Sequence, residues 1–87
     1  MDYKVNVPKK ITKEIEKIHP SDVPSIRKAI RSLADNPRPD GCAKLNNPKE
    51  KGTYRIRVGS KYRILYDIYD ESHMVEVQFV GLRANAY

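Results

Sequence analysis

The chain reads as an α+β domain, a small antiparallel sheet with an N-terminal helical hairpin packed on one face. Three observations predict this. Apolar residues alternate with polar ones near the start and again from Thr53 onward, the period of half-buried strands. Between these regions two stretches carry apolar residues at helical spacing. Proline, glycine and asparagine fall between the periodic stretches, where chain reversals are needed.

The first strand is "DYKVNVP", with Tyr3, Val5 and Val7 set against Lys4 and Asn6. Pro8 suits the first turn of a helix, where its missing N–H leaves no bond unmade. Ile11, Ile15 and Ile18 then form an apolar stripe, with Lys10, Lys13, Glu16 and Lys17 on the outer face. The helix should stop before Pro20, which disfavours helical geometry at His19. A second helix follows at once, with Ser21 as its expected N-cap and Val23, Ile26, Ile30 and Leu33 as its stripe. Asn36-Pro37 ends it.

Residues 36–52 are rich in turn formers and read as a loop anchored by Leu45. Three strands are expected next, at about 53–58, 61–69 and 74–80. Gly59-Ser60 supplies a two-residue turn between the first two. Val75, Val77 and Phe79 are expected to face the core on the last strand. Residues 1–87 therefore read as a single domain. The helices must cover one face of the sheet, because their apolar stripes have no other surface to bury. Arg55, Arg57 and Arg63 alternate with the apolar set, which places all three on the face the helices leave bare.

Charged residues make up 32% of the chain and the net charge is +6, which points to an anionic partner, a nucleic acid or an acidic protein. Between Lys44 and Arg63 there are seven basic residues, Lys44, Lys49, Lys51, Arg55, Arg57, Lys61 and Arg63, opposed only by Glu50. Arginine grips phosphate oxygens with a planar fork of donors. The competing reading of the same pattern is a solvated face that keeps a sheet from aggregating. Nothing near Met1 forms the apolar run of a signal peptide or a membrane span, and the single Cys42 suits a reducing compartment, so a cytoplasmic location is expected. No Cys or His spacing suggests a metal site, and no Gly-rich loop suggests a nucleotide cofactor. Asp67, Asp70, Glu71 and Glu76 read as solvated acids near one end of the strands.

"YKVNVPKKITKEIEKI", "LADNPRPDGCAKL", "YRIRVGSKYRILYDI" and "VEVQFVGLRANAY" together resemble the RelE/ParE superfamily of toxin–antitoxin toxins over nearly the whole chain. The resemblance implies the fold already read from the pattern. It also implies a metal-independent endoribonuclease that cuts messenger RNA in the ribosomal A site, and a cognate RelB-like antitoxin as partner. By the same resemblance Arg55 and Arg57 grip the RNA backbone, and Lys51 and Lys61 flank them as further RNA contacts. Arg63 contacts the scissile phosphate, Arg83 acts as an acid or phosphate stabiliser, and Tyr87 acts as a base. The sequence departs from the family at Leu82, where a His is common. ParE-type relatives, which poison DNA gyrase without cutting RNA, share the fold and offer the alternative function.

Overall fold

The computed structural model describes residues 2–45 and 54–82. Seven elements follow one another: β1 (Lys4–Asn6), α1 (Lys9–Glu16), α2 (Val23–Asp35), β2 (Ala43–Lys44), β3 (Tyr54–Val58), β4 (Tyr62–Tyr69) and β5 (Met74–Leu82). They build one five-stranded sheet in the order β1-β5-β4-β3-β2, with both helices against one face. The expected α+β class, helical hairpin and antiparallel β3-β4-β5 meander are all present. The sheet is mixed rather than purely antiparallel, because β1 runs parallel to β5 with Val5 paired to Val75. The two-residue β2 pairs antiparallel with β3, inside a stretch the sequence marks only as loop.

Each helix begins and ends for local reasons. Pro8 sits at the start of α1 with φ −58°, already in helical range. α1 closes at Lys17, where the Lys17 N–H bonds back to the Glu14 carbonyl and the Ile18 N–H to the Ile15 carbonyl. The N-cap of α2 is Asp22 rather than the expected Ser21. Ser21 is engaged elsewhere, its Oγ lying 2.7 Å from Nδ1 of His19. The Asp22 carboxylate does not cap the helix either; it accepts the Tyr62 hydroxyl at 2.9 Å and so ties the start of α2 to β4.

The core lies between the helices and the sheet. Ile11 and Ile15 from α1, Ile26, Ile30 and Leu33 from α2, and Ile56, Ile64, Tyr66, Val75, Val77 and Val80 from the sheet are buried together. Full burial of one such side chain contributes about 1.5–3 kcal/mol. Tyr66 is fully buried, and its hydroxyl donates to the Pro37 carbonyl at 2.8 Å. Burial pushes the pKa of that hydroxyl up.

Two features of the meander differ from expectation, and both bear on the bare face. Val58 pairs with Tyr62, so three residues, Gly59 to Lys61, form the hairpin loop instead of two. Gly59 opens that loop at φ +61°, a conformation that disfavours side chains. On β5, Leu65 pairs with Phe79 but Tyr66 pairs with Val77. Gln78 is therefore an inserted residue, a β-bulge. A one-residue insertion exchanges the two faces of everything beyond it. Val80 accordingly takes the core position expected for Phe79, and Phe79 turns to the opposite side of the sheet. Among the described residues, no helix is long and apolar enough to cross a membrane.

Candidate nucleic-acid interface

Arg55 and Arg57 on β3 and Arg63 on β4 project from the sheet face away from the helices, as their alternation requires. Arg57 pairs directly with Arg63, and Arg55 pairs with Leu65. Directly opposed side chains on one face hold their Cβ atoms about 4.5–5.5 Å apart, and like charges in that position are destabilising. An anion lying across the two strands would turn the repulsion into shared attraction.

The patch is graded in depth, and here the expectation of a uniformly bare face fails. Arg57 is exposed and Arg55 is partly buried, while Arg63 is 3% exposed and its neighbour Leu65 is 2% exposed. β4 is the central strand, flanked on this face by β3 side chains and by Phe79 from β5. Among the described residues the Nε of Arg55 is buried and meets no hydrogen-bond acceptor. A buried donor in that condition costs about 1–3 kcal/mol unless a ligand satisfies it. Lys61 is exposed in the hairpin loop beside the patch. Lys51, Arg83 and Tyr87 lie outside the described residues.

The other end of this face has the opposite polarity. Asp67 and Glu76 are paired across β4 and β5. The Gln78 Nε2 donates to both, at 3.1 Å to Asp67 and 2.9 Å to Glu76, and Asn6 donates to Glu76 at 3.3 Å. Asp67 and Glu76 therefore sit in strands, in a hydrogen-bonded chain, and not in a solvated turn. Their charges raise the pKa of Tyr69. A polyanion meeting this face is attracted at the arginine end and repelled at the acidic end, which gives its approach a direction.

One basic residue is removed from any such role. Arg38 grips Asp70 with both terminal nitrogens, at 2.9 and 3.2 Å, and donates from Nε to the Tyr54 hydroxyl at 3.3 Å. The Tyr3 hydroxyl donates to the same carboxylate at 2.6 Å. The Arg38 guanidinium first, and the Tyr3 hydroxyl second, hold the Asp70 carboxyl down at about 2. This cluster pins the segment after α2 to β1 and to the end of β4. No spacing in the sequence marks it, since its members come from four separate segments. Among the described residues no group of three or more His, Cys, Asp and Glu side chains converges as a metal site would require.

Residues 5–87 match the model of the ParE toxin of type II toxin–antitoxin systems, parDE. The chain belongs to that toxin family. Within the wider RelE/ParE group it is 27% identical over 90 residues to a RelE1 protein of Methanocaldococcus jannaschii, covering 100% of this chain and 97% of that one. Its fold matches the archaeal RelE–RelB complex structure from Pyrococcus horikoshii with a TM-score of 0.80, at 21% identity, over 99% of this chain and 100% of that chain. It matches the RelBE2 toxin–antitoxin complex structure from Mycobacterium tuberculosis with a TM-score of 0.79, at 26% identity, over 95% and 100% of the two chains. In this RelE/ParE-type toxin the described residues of the expected site, Arg55, Arg57, Arg63 and Lys61, all lie on the β3–β4 hairpin. Sequence reasoning missed Phe79 as a member of that face, because the alternation of "VEVQFV" runs on unbroken through the bulge.

Proposed function

We propose that this toxin is a ribosome-dependent endoribonuclease that cuts messenger RNA in the A site and thereby stops translation. The observation that carries the reading is the directly opposed Arg57–Arg63 pair, with Arg55 beside it, on the sheet face free of helices. Likeness to RelE proteins over the whole chain supports it.

The chemistry needs no bound metal. The 2′-hydroxyl of the RNA attacks the adjoining phosphorus while the 5′-oxygen leaves, so the nucleophile is already part of the substrate. The products are a 2′,3′-cyclic phosphate and a 5′-hydroxyl. The protein must align the attack, stabilise the added phosphate charge and move two protons. Arg57, Arg55, Lys51 and Lys61 hold the backbone, and Arg63 stabilises the charged phosphorane. Arg83 and Tyr87 serve the proton transfers, Tyr87 taking the 2′-proton. A Tyr hydroxyl ordinarily titrates at about 10, and a cluster of guanidinium groups favours its anion. A RelB-type antitoxin, the partner named in the matched complexes, neutralises the activity by covering basic surface.

The match to the ParE model favours a second reading, a toxin that acts on DNA gyrase and cuts no RNA. Toeprinting of a translated message separates the two. New 3′ ends inside A-site codons, reduced about 100- to 1000-fold in rate by Arg63→Ala, are expected for loss of one transition-state contact. Gyrase-trapped DNA breaks without RNA cuts would overturn the proposal in favour of the second reading.

A further inference from the structure

We infer that Phe79 is a nucleobase-stacking element of the arginine site, carried onto that face by the bulge at Gln78. The inference rests on the endoribonuclease reading and adds to it the group that would hold a base.

On an unbroken strand Phe79 would join Val75 and Val77 in the core. The insertion of Gln78 turns it out, and Phe79 is absent from the side chains packed on the helix-side core. Its ring does not stand free. Gly81 follows two residues later on the same face, and the ring leans over it. A Cβ built on Gly81 would lie 2.8 Å from Cζ of Phe79, 3.2 Å from Cε2 and 3.5 Å from Cε1. The end of the ring thus occupies the space where a side chain at position 81 would stand.

That space is the cross-strand position facing Arg63, since Arg63 pairs with Gly81 and Leu65 with Phe79. Gly81 and Arg63 are therefore one strand spacing apart, about 4.8 Å, and the end of the ring lies over Gly81. The phosphate and base of one nucleotide are joined through a single sugar, so adjoining strands can hold both. Guanidinium groups on β3 and β4 with an aromatic ring on β5 form the combination that single-stranded RNA binds, charge for the backbone and a π-face for the base. Phe79 is only partly buried, which leaves part of the residue open to a ligand. Phenylalanine has no hydrogen-bonding group, so the stacking should tolerate any base.

The competing account is that Phe79 only covers Leu65, which is 2% exposed. The test uses the full chain and short single-stranded RNA in two forms, one intact and one lacking a base at a single position scanned along the oligonucleotide. Binding is read by fluorescence anisotropy, and cleavage by single-turnover assay on programmed ribosomes. For the wild type, loss of the base at one position should weaken binding about 5- to 150-fold, the range for one base stacked on an aromatic ring. Phe79→Leu keeps apolar cover over Leu65 and should abolish that difference. Phe79→Tyr keeps the ring and should restore it. Gly81→Ala pushes the ring aside without removing it and should also diminish the difference. If Phe79→Leu lowers thermal stability yet leaves the intact-to-abasic ratio as in the wild type, Phe79 is a covering residue and the inference is wrong, while the endoribonuclease reading stands. If the wild type neither binds RNA nor cuts messages on the ribosome, the reading itself fails and the stacking role falls with it.

Discussion

Arg57→Gln should make this protein more stable and a poorer toxin. The substitution keeps most of the side-chain stem and its hydrogen-bonding capacity but removes the charge that faces Arg63 across β3 and β4. Arg57 is exposed while Arg63 is buried, so the water limit of Coulomb's law gives the lower bound of their repulsion. Two unit charges about 6 Å apart then repel by about 0.7 kcal/mol. That value lies within the 0.2–1 kcal/mol typical of cross-strand pairs. For a domain of this size it corresponds to a rise in melting temperature of about 3–6 °C. Circular dichroism melts at low salt would measure it. In 1 M salt, where the screening length falls to about 3 Å, the gain should shrink towards zero. Cleavage on programmed ribosomes should show a raised KM with kcat largely kept, because a backbone contact binds ground state and transition state alike. An unchanged or lowered melting temperature at low salt would refute the reasoning, since the pair would then not be a repulsion held in place for a ligand.

Two further predictions concern what holds the site in place. Tyr66→Phe removes the hydroxyl that donates to Pro37 and leaves a carbonyl unsatisfied at a buried residue, so a urea melt should show a loss of about 1–3 kcal/mol. Asp70 has a carboxyl pKa depressed to about 2 from 3.8 by Arg38 and Tyr3. A depressed carboxylate contributes stability that is fully present above its unfolded pKa and is lost as pH falls through the folded one. The Arg38–Asp70 contribution should therefore be constant above about pH 4 and disappear between about pH 4 and pH 2. Asp70→Asn should lower stability at neutral pH and converge on the wild type near pH 2, as measured by melting temperature against pH.

Much of the architecture was legible because it is local. The stripes of Ile11 and Ile15, and of Ile26, Ile30 and Leu33, announce two helices that must share one buried surface, and the structure buries all five. The β3-β4 hairpin and its outward arginines follow from a period of two that no insertion interrupts. What escaped depends on partners remote in sequence. β1 pairs with β5 at the opposite end of the chain, and nothing within "YKVNV" declares that pairing parallel. Arg38 looks like another free cation until the fold brings Asp70, Tyr3 and Tyr54 around it. The depth of Arg63 was equally hidden, because alternation assigns a face and says nothing of how far neighbouring strands rise around it.

The two faces of the sheet divide the work of the molecule, and the bulge sits at the boundary. On the helix side β1, β3, β4 and β5 contribute to one continuous core, which is where a small domain must place nearly all its apolar burial to fold at all. On the other side the same strands carry opposed arginines at one end and paired acids at the other. β5 serves both faces. Before Gln78 it gives Val75 and Val77 to the core, and after it gives Val80 to the core and Phe79 to the arginines. Removing Gln78 would restore plain alternation but would drive Val80 out of the core and Phe79 into it. The bulge is therefore what allows a nine-residue strand to fill the core along its length and still place an aromatic ring beside Arg63.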